Sequence, residues 1–528
     1  MASETKAQRV ERIKSEKDGL DVLDDIARYA ISGEEIDPED IDRFKWYGLY
    51  TQNKNLQGPE DETLYFMLRI KVEGGYLNRE QLAEIGKISK ELARDTADLT
   101  TRQDIQFHWI KVTDLPQIFA RLAAVGLSTI EAAGDCPRNI VCCPVNGIDK
   151  DQVDDVRDLV DALNDLYREN RAFSNLPRKF KVGVSGCSKH CLSHEVQDLT
   201  FTAAKRQNGG IEFSVSVGGG QASNRRIADH IGYIQRKDVV AIAESVAKIY
   251  RDYGRRDNRL KARLGHLIED WGVERFVNEL EKDSGVTFDA YDNAAFTPYP
   301  RRSHFGIFES TKEGYNTIGY AITSGRIGGE RLLSLGNILE FYAAEGISLT
   351  TTQNIVVQGV PSEATKAFTE TLEASLGLEA NPSVFEARTL ACTGLNFCKF
   401  AVSETKNLAI EVVAHLKSRF KAFNEPVSIS INGCPNACAH PHIVDLGFVG
   451  SIVKRDEEKF KGFDLIVGGH LEGEQSRFAV KTGVKVTSDE VAPLIESLIQ
   501  EYESSQSRDF GNFLLEKYRH EPTIPTAS

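Results

Sequence analysis

The chain contains no run of 18 apolar residues, so no helix able to span a bilayer is expected. Its first residues, MASETKAQRVERIKSEKDG, have no apolar stretch and read as a charged helix rather than a secretory signal. It lacks an excess of positive charge: 64 Lys and Arg against 78 Asp and Glu give a formal net charge of −14. That balance argues against nucleic acid as a partner. A G-x-G-x-x-G fingerprint is also missing, so no nicotinamide or flavin module is expected. The nine cysteines are an odd number without a secretory signal, which fits a reducing, cytoplasmic setting and not a disulfide framework.

The cysteines are unevenly spread. None occurs in the first quarter of the 528 residues, and none between Cys191 and Cys392. Two groups with similar internal spacing suggest a duplication, and the register supports it. LTTRQDIQF at Leu99 and LTTTQNIVV at Leu349 lie 250 apart. So do Leu82 and Leu332, Gly86 and Gly336, Arg138 and Arg388, and Cys142 and Cys392. After a three-residue slip, Gly186, Cys187, Cys191 and Asp198 match Gly433, Cys434, Cys438 and Asp445. Val217–Gly219 and Val467–Gly469 return to 250. The expected fold is therefore α+β, two pseudo-symmetric repeats behind an N-terminal extension of about 60 residues.

The second repeat carries Cys392, Cys398, Cys434 and Cys438. Ala401, Leu408, Val412, Leu416 and Phe420 fall on one helical face, while VSISIN alternates as a strand ending at Asn432. One thiol pair is thus expected at a helix start and the other in a loop after a strand, positions that can converge. Four thiolates suit either zinc or an iron–sulfur cluster. The step from Cys392 to Cys398 is long for a zinc knuckle, and Pro435 after Cys434 is a common follower of cluster cysteines. Spacing favours a cluster without excluding zinc. In the first repeat the register sets Ile148 opposite Cys398, so one cluster is expected rather than two, with Cys142, Cys143, Cys187 and Cys191 as buried thiols.

The segments ACTGLNFCKFAVSETK and INGCPNACAHPHIVDLGFVG resemble the two signature segments of the sirohaem–[4Fe-4S] sulfite and nitrite reductases. The resemblance extends over almost the whole chain. It implies a three-domain architecture: an extension at 1–60, ferredoxin-reductase-like half-domains at 61–130 and 296–375, and sirohaem/cluster-type domains at 131–295 and 376–528. It implies that Cys392, Cys398, Cys434 and Cys438 hold the [4Fe-4S] cluster, with Cys438 also ligating the sirohaem iron. His440 and His442 are then packing residues.

The first repeat keeps positive charge where the second does not. Arg69 faces Gly319, Arg102 faces Thr352, and Lys179 and Lys181 face a strand without lysine; Arg138 alone has a basic partner, Arg388. One half retaining thiolates and the other cations implies a single composite site. By the resemblance, Arg69, Arg138, Lys179 and Lys181 line the face where substrate binds, and Arg102 and Gln106 contact the sirohaem carboxylates. Forked guanidinium donors and compact ammonium charges suit small oxyanions. The basic run Arg255, Arg256, Arg259, Lys261 and Arg263 reads equally as a cofactor contact or a solvated face.

The resemblance implies assimilatory six-electron reduction of sulfite to sulfide, with electrons from ferredoxin or a similar one-electron carrier. Nitrite reduction to ammonia is the alternative. Lys179-Phe180-Lys181 matches the sulfite-type K-F-K rather than the nitrite-type K-W-N. A cluster-containing sensor, or a relative acting on a corrinoid precursor, is a different class; the four retained cations weigh against it. Tyr50 matches a tyrosine that some relatives cross-link to a cysteine, but Ala133 stands in the cysteine's place, so no cross-link is expected.

Overall fold

The computed structural model of the chain describes residues 4–187, 191–206, 209–222, 225–290, 292, 304–471 and 476–519. Two kinds of sheet each occur twice. The first is antiparallel, with Leu49–Thr51, Phe66–Ile70, Ile105–Ile110 and Asp98–Leu99 side by side in that order. Its counterpart has Gly306–Glu309, Tyr315–Tyr320, Ile355–Pro361 and Gly346–Leu349, and then a fifth strand, Tyr76–Asn78, donated by the first half. The exchange is reciprocal, because Arg326, 250 residues after Tyr76, bridges back to Asp98.

The second kind is mixed. Val141–Cys142, Val182–Ser185 and Leu199–Lys205 run parallel, and Ile211–Val217 and Asp229–Ile234 follow antiparallel. Thr389–Ala391, Ile429–Asn432, Leu446–Arg455, Glu458–Val467 and Val480–Thr487 repeat both the order and the directions. The backbone repeats in detail as well. Gln103 and Gln353 both take left-handed φ, at 56° and 62°. Gln103 Nε2 donates to Cys142 O and Leu349 O, and Gln353 Nε2 to Leu99 O and Ala391 O. Each glutamine therefore bonds into both halves.

Three large hydrophobic cores form among the described residues. One merges the N-terminal helices (Val22, Ile26, Phe44, Trp46) with both antiparallel half-domains, from Phe66 to Leu127 and from Ile318 to Leu378. The second lies between Ile140 and Leu280, and the third between Phe385 and Tyr518. Helices Arg79–Leu92 and Gly329–Phe341 cross within the first core. The former starts with a capping box in which Asn78 and Gln81 exchange backbone bonds, and it buries Leu82, Ile85 and Ile88. Gly86 is required at the crossing, since a Cβ there would lie 2.6 Å from Leu333 N.

Two expectations need correction. The helix after Cys398 starts only at Lys406, where Glu404 accepts from the Asn407 and Leu408 N–H groups. Ala401 and both thiols therefore lie in the preceding loop, not at a helix start. Lys179 and Lys181 sit just ahead of strand Val182–Ser185, in an extended run held by reciprocal Arg138 N–H to Phe180 O and Phe180 N–H to Cys136 O bonds. Extended geometry still buries Phe180 on one side and leaves both lysines on the other.

Candidate active site between the two halves

The thiol loops are held by short polar contacts. Gly433 N–H points at Cys392 Sγ, 3.2 Å away, and Thr405 Oγ1 donates to Cys392 O at 2.7 Å. Strand Ile429–Asn432 is buried on both faces, as parallel pairing on either side demands. Its polar residues are spent on the second loop: Ala439 N–H donates to Asn432 Oδ1 at 2.9 Å, and Asn432 Nδ2 to Ser430 Oγ at 2.7 Å. Burial, then the charges of Cys438 and Cys434, push the Cys392 thiol up to about 12. Burial and the Cys438 charge push Cys398 and Cys434 to about 11. The structure thus brings the four predicted thiols together around Cys438.

Such thiols ionise readily when they bind a metal. A tetrahedral zinc holds its sulfurs about 3.8 Å apart, from a bond of about 2.3 Å. Among the described residues, no three of these four sulfurs lie within 4.8 Å of one another. The wider spacing fits a multi-iron cluster, in which each sulfur has its own iron.

The four cations come from the first half. Arg69 Nη1 and Arg138 Nη1 both donate to Ala132 O at 3.2 Å, which sets the two guanidinium groups side by side. Arg69 Nη2 donates to Gln106 Oε1 at 3.2 Å, and Gln106 Nε2 crosses to Thr393 Oγ1 in the second half at 3.0 Å. Arg69 Nε is buried with no hydrogen-bond partner among the described residues. Neither ammonium group, of Lys179 or of Lys181, has an ion-pair or hydrogen-bond partner among the described residues. Burial and then Arg263, Arg178 and Arg138 pull Lys179 down to about 7, against a smaller pull upward from Cys438. Lys181 is lowered by burial, Arg102 and Lys179. Arg102, lowered to about 10 mainly by burial, donates to Asn139 O at 3.0 Å and to Gln197 Oε1. Crowded cations that depress one another, with an orphaned guanidinium N–H, fit a polyanionic ligand such as a tetrapyrrole octa-carboxylate.

The halves meet at Cys438: Thr101 Oγ1 donates to Cys438 O at 3.0 Å. The N-terminal extension also reaches the first thiol loop, through Asn53 N–H to Phe397 O at 2.8 Å and Lys399 Nζ to Thr51 Oγ1 at 2.7 Å. Of the basic run, Arg255 pairs with exposed Asp270, Arg256 with Glu11, and Arg259 with buried Asp135; Arg263, on Asp198 at 2.6 Å, stands among the site cations. Cys136 Sγ is turned inward to Ala133 O, 3.0 Å away.

Two groups escaped the sequence reading. Buried Asp98 joins Arg326 (3.2 Å), Lys406 (3.7 Å) and His108 (3.0 Å), and the His108 ring stacks on Phe397 at 3.8 Å, next to Cys398. Lys406 of the ETK segment was the visible signal. Cys143 and Cys191 of the first repeat converge with His304 from the start of the second, and Ile148 packs with the two thiols. His304 lies 113 residues beyond Cys191, and no spacing rule links them.

A duplicated α+β fold with a thiol quartet from one half facing a cation bay from the other defines a metal-cluster oxidoreductase acting on small anions. Comparison with known proteins agrees. Residues 133–288 and 387–512 match the nitrite and sulphite reductase 4Fe-4S domain, and 58–125 and 308–375 match the nitrite/sulfite reductase ferredoxin-like half domain. The chain is 35% identical to sulfite reductase [ferredoxin] 1 of Mycolicibacterium paratuberculosis, over 93% of this chain and 91% of that one. It is 32% identical to a ferredoxin–nitrite reductase of Leptolyngbya laminosa, over 95% and 98%. The solved structure of the Mycobacterium tuberculosis NirA protein superposes with a TM-score of 0.90 at 33% identity, covering 96% of each chain. The chain belongs to the nitrite and sulphite reductase family. It is an oxidoreductase whose cofactors are sirohaem and a [4Fe-4S] cluster. No described helix is long and apolar enough to cross a membrane.

Proposed function

We propose that this enzyme reduces sulfite to sulfide in the cytoplasm, with electrons from ferredoxin or a similar one-electron donor. The observation that carries the reading is the pair Lys179 and Lys181, unpartnered among the described residues, with Arg138 and Cys438 within electrostatic reach of Lys179 and Arg102 within reach of Lys181. In this reading Cys392, Cys398, Cys434 and Cys438 hold the cluster, Cys438 bridges to the sirohaem iron, and Arg102 and Gln106 face the sirohaem. When bound, the two groups supply the iron at which the oxyanion is reduced and the store of electrons for it. The domain reading given above, with half-domains at 61–130 and 296–375, follows the same division of labour.

The protein's own contribution is charge, orientation and protons. Arg69, fixed to the Ala132 carbonyl with its Nε unpartnered among the described residues, offers a donor to the oxyanion. Arg138, whose Nε and Nη2 donate to Gly134 O and whose Nη1 donates to Ala132 O, adds its charge from the same side. Lys179, lowered by burial and the neighbouring guanidinium groups, gives up its proton more readily than an ordinary lysine and so is suited to pass one to the oxyanion. Lys181 adds a second ammonium group. Sulfite carries up to two negative charges and nitrite one, so each added cation favours sulfite more. The test is kcat/KM for both anions with reduced ferredoxin or viologen, in the parent and in Lys181→Asn. The parent is expected to prefer sulfite, and the variant to shift toward nitrite by losing sulfite activity. A parent preferring nitrite tenfold, about 1.4 kcal/mol of transition-state binding, refutes the reading in favour of nitrite reduction.

A further inference from the structure

Loops of the first repeat, joined by His304 of the second, hold another constellation of metal ligands at the place related by pseudo-symmetry to the thiol quartet. Thr351 Oγ1 donates to Cys191 O at 3.3 Å, just as Thr101 does to Cys438 O. Cys143 Sγ and Cys191 Sγ each lie 3.7 Å from His304 Nε2, and the three atoms all fall within 4.8 Å of one another. Around a tetrahedral zinc, bonds of about 2.3 Å to sulfur and about 2.0–2.1 Å to nitrogen set the S···N edge near 3.6 Å. The observed edges match that spacing. The Cys187 side chain hydrogen-bonds Cys191 and so adjoins the trio, outside its 4.8 Å circle but within reach of a side-chain rotation. Its spacing from Cys191 is that of a zinc knuckle.

We propose that Cys143, Cys187, Cys191 and His304 form a structural zinc site. Ile148, at the register position of Cys398, packs against Cys143 and Cys191 and offers no ligand, so the site is not a second cubane on the pattern of the first. His304 supplies the fourth ligand from another direction. Its backbone crosses where the first repeat projects Arg69: a Cβ on Gly319, the counterpart of Arg69, would lie 1.5 Å from His304 O. The second repeat thus lacks the cation and admits the histidine. Thiolate and imidazole suit zinc, and four protein ligands make a closed site. Its effect is to tie the start of the second repeat to two loops of the first. Because zinc has no redox chemistry, the site accepts no electrons from the cluster opposite.

The test uses the full-length holoenzyme grown with zinc present and dialysed against EDTA. Elemental analysis is expected to give about one zinc per chain, and zinc-edge absorption spectroscopy sulfur ligands near 2.3 Å with one nitrogen near 2.0–2.1 Å. His304→Ala and Cys143→Ser should lower zinc at least tenfold while iron, labile sulfide and the Soret band stay unchanged. Less than about a tenth of a zinc per chain in the parent overturns the proposal, as does labile sulfide at twice the content of one cluster. Should both variants fail to fold, the parent's zinc content and ligand spectrum decide alone. The outcome is independent of whether sulfite or nitrite is the substrate.

Discussion

Replacing Asp98 by asparagine keeps the shape of a buried side chain and removes the one negative charge on which two cations depend. Lys406 is almost fully buried and Arg326 about a quarter exposed, and both come from the second repeat while Asp98 belongs to the first. Breaking one partner of a buried pair costs about 3–5 kcal/mol. The exposed part of Arg326 recovers some of its hydration, so the lower half of that range, about 3–4 kcal/mol, is expected. For a domain of the size of the first core this is a fall in Tm of roughly 6–16 °C. The pH dependence has a definite sign. Burial raises the Asp98 carboxyl, but Lys406, Arg326 and His108 outweigh it and hold it well below its ordinary 3.8. A carboxylate lowered on folding stabilises the protein above its unfolded pKa and loses that contribution as pH falls through the folded one. The gap between parent and Asp98→Asn should therefore be full at pH 7 and narrow below about pH 4. Thermal melts of the two proteins across that range measure it, and bound iron reports on the adjoining loop, because His108 stacks on Phe397. A gap under about 1 kcal/mol at pH 7 would refute the argument, since a dispensable Asp98 means that neither cation is desolvated.

Cys438→Ser should lose sirohaem together with the cluster, because one sulfur is assigned to both; a purified variant with a normal Soret band rejects the bridge. Iron and acid-labile sulfide in the parent should come to about five and four per chain, one cluster plus one haem iron, and sulfide near eight rejects the single-cluster reading. Gly319→Ala drives a Cβ into the His304 carbonyl, so a fall in Tm and in soluble yield is expected; a melting curve identical to the parent's rejects the crossing as described.

The duplication was legible because it repeats in register, and register survives divergence when it encodes backbone. Gln103 and Gln353 share a left-handed φ and a pair of bonds into both halves, which few other side chains can provide. The thiol quartet was legible because its members lie in two short segments of fixed spacing. The strand donated by the first half was not, since Tyr76–Asn78 is only three residues long and its alternation names no partner. His304 was illegible for the same reason: a lone histidine carries no period, and only the fold sets it beside Cys143 and Cys191. The helix start at Lys406 was misread because apolar residues in the Cys398 loop continue the helical spacing, while the cap that ends the loop is Glu404, three residues before the first N–H that it accepts.

The exchanged strand bears on how such a chain could divide its labour. Tyr76–Asn78 completes the sheet of the other half, and Asp98 and Arg326 close the reciprocal join. Two separate copies of such a unit would trade the same strands as a homodimer, and a two-fold dimer has two identical sites made from one sequence. Every substitution there would strike both sites at once, so a residue useful at one and harmful at the other could not be kept. Joined in one chain, the copies drift apart at matched positions: Arg69 stands against Gly319, and Cys398 against Ile148. The joined halves nonetheless remain unable to close their sheets alone. Expressed as separate fragments, they should become soluble only in each other's presence.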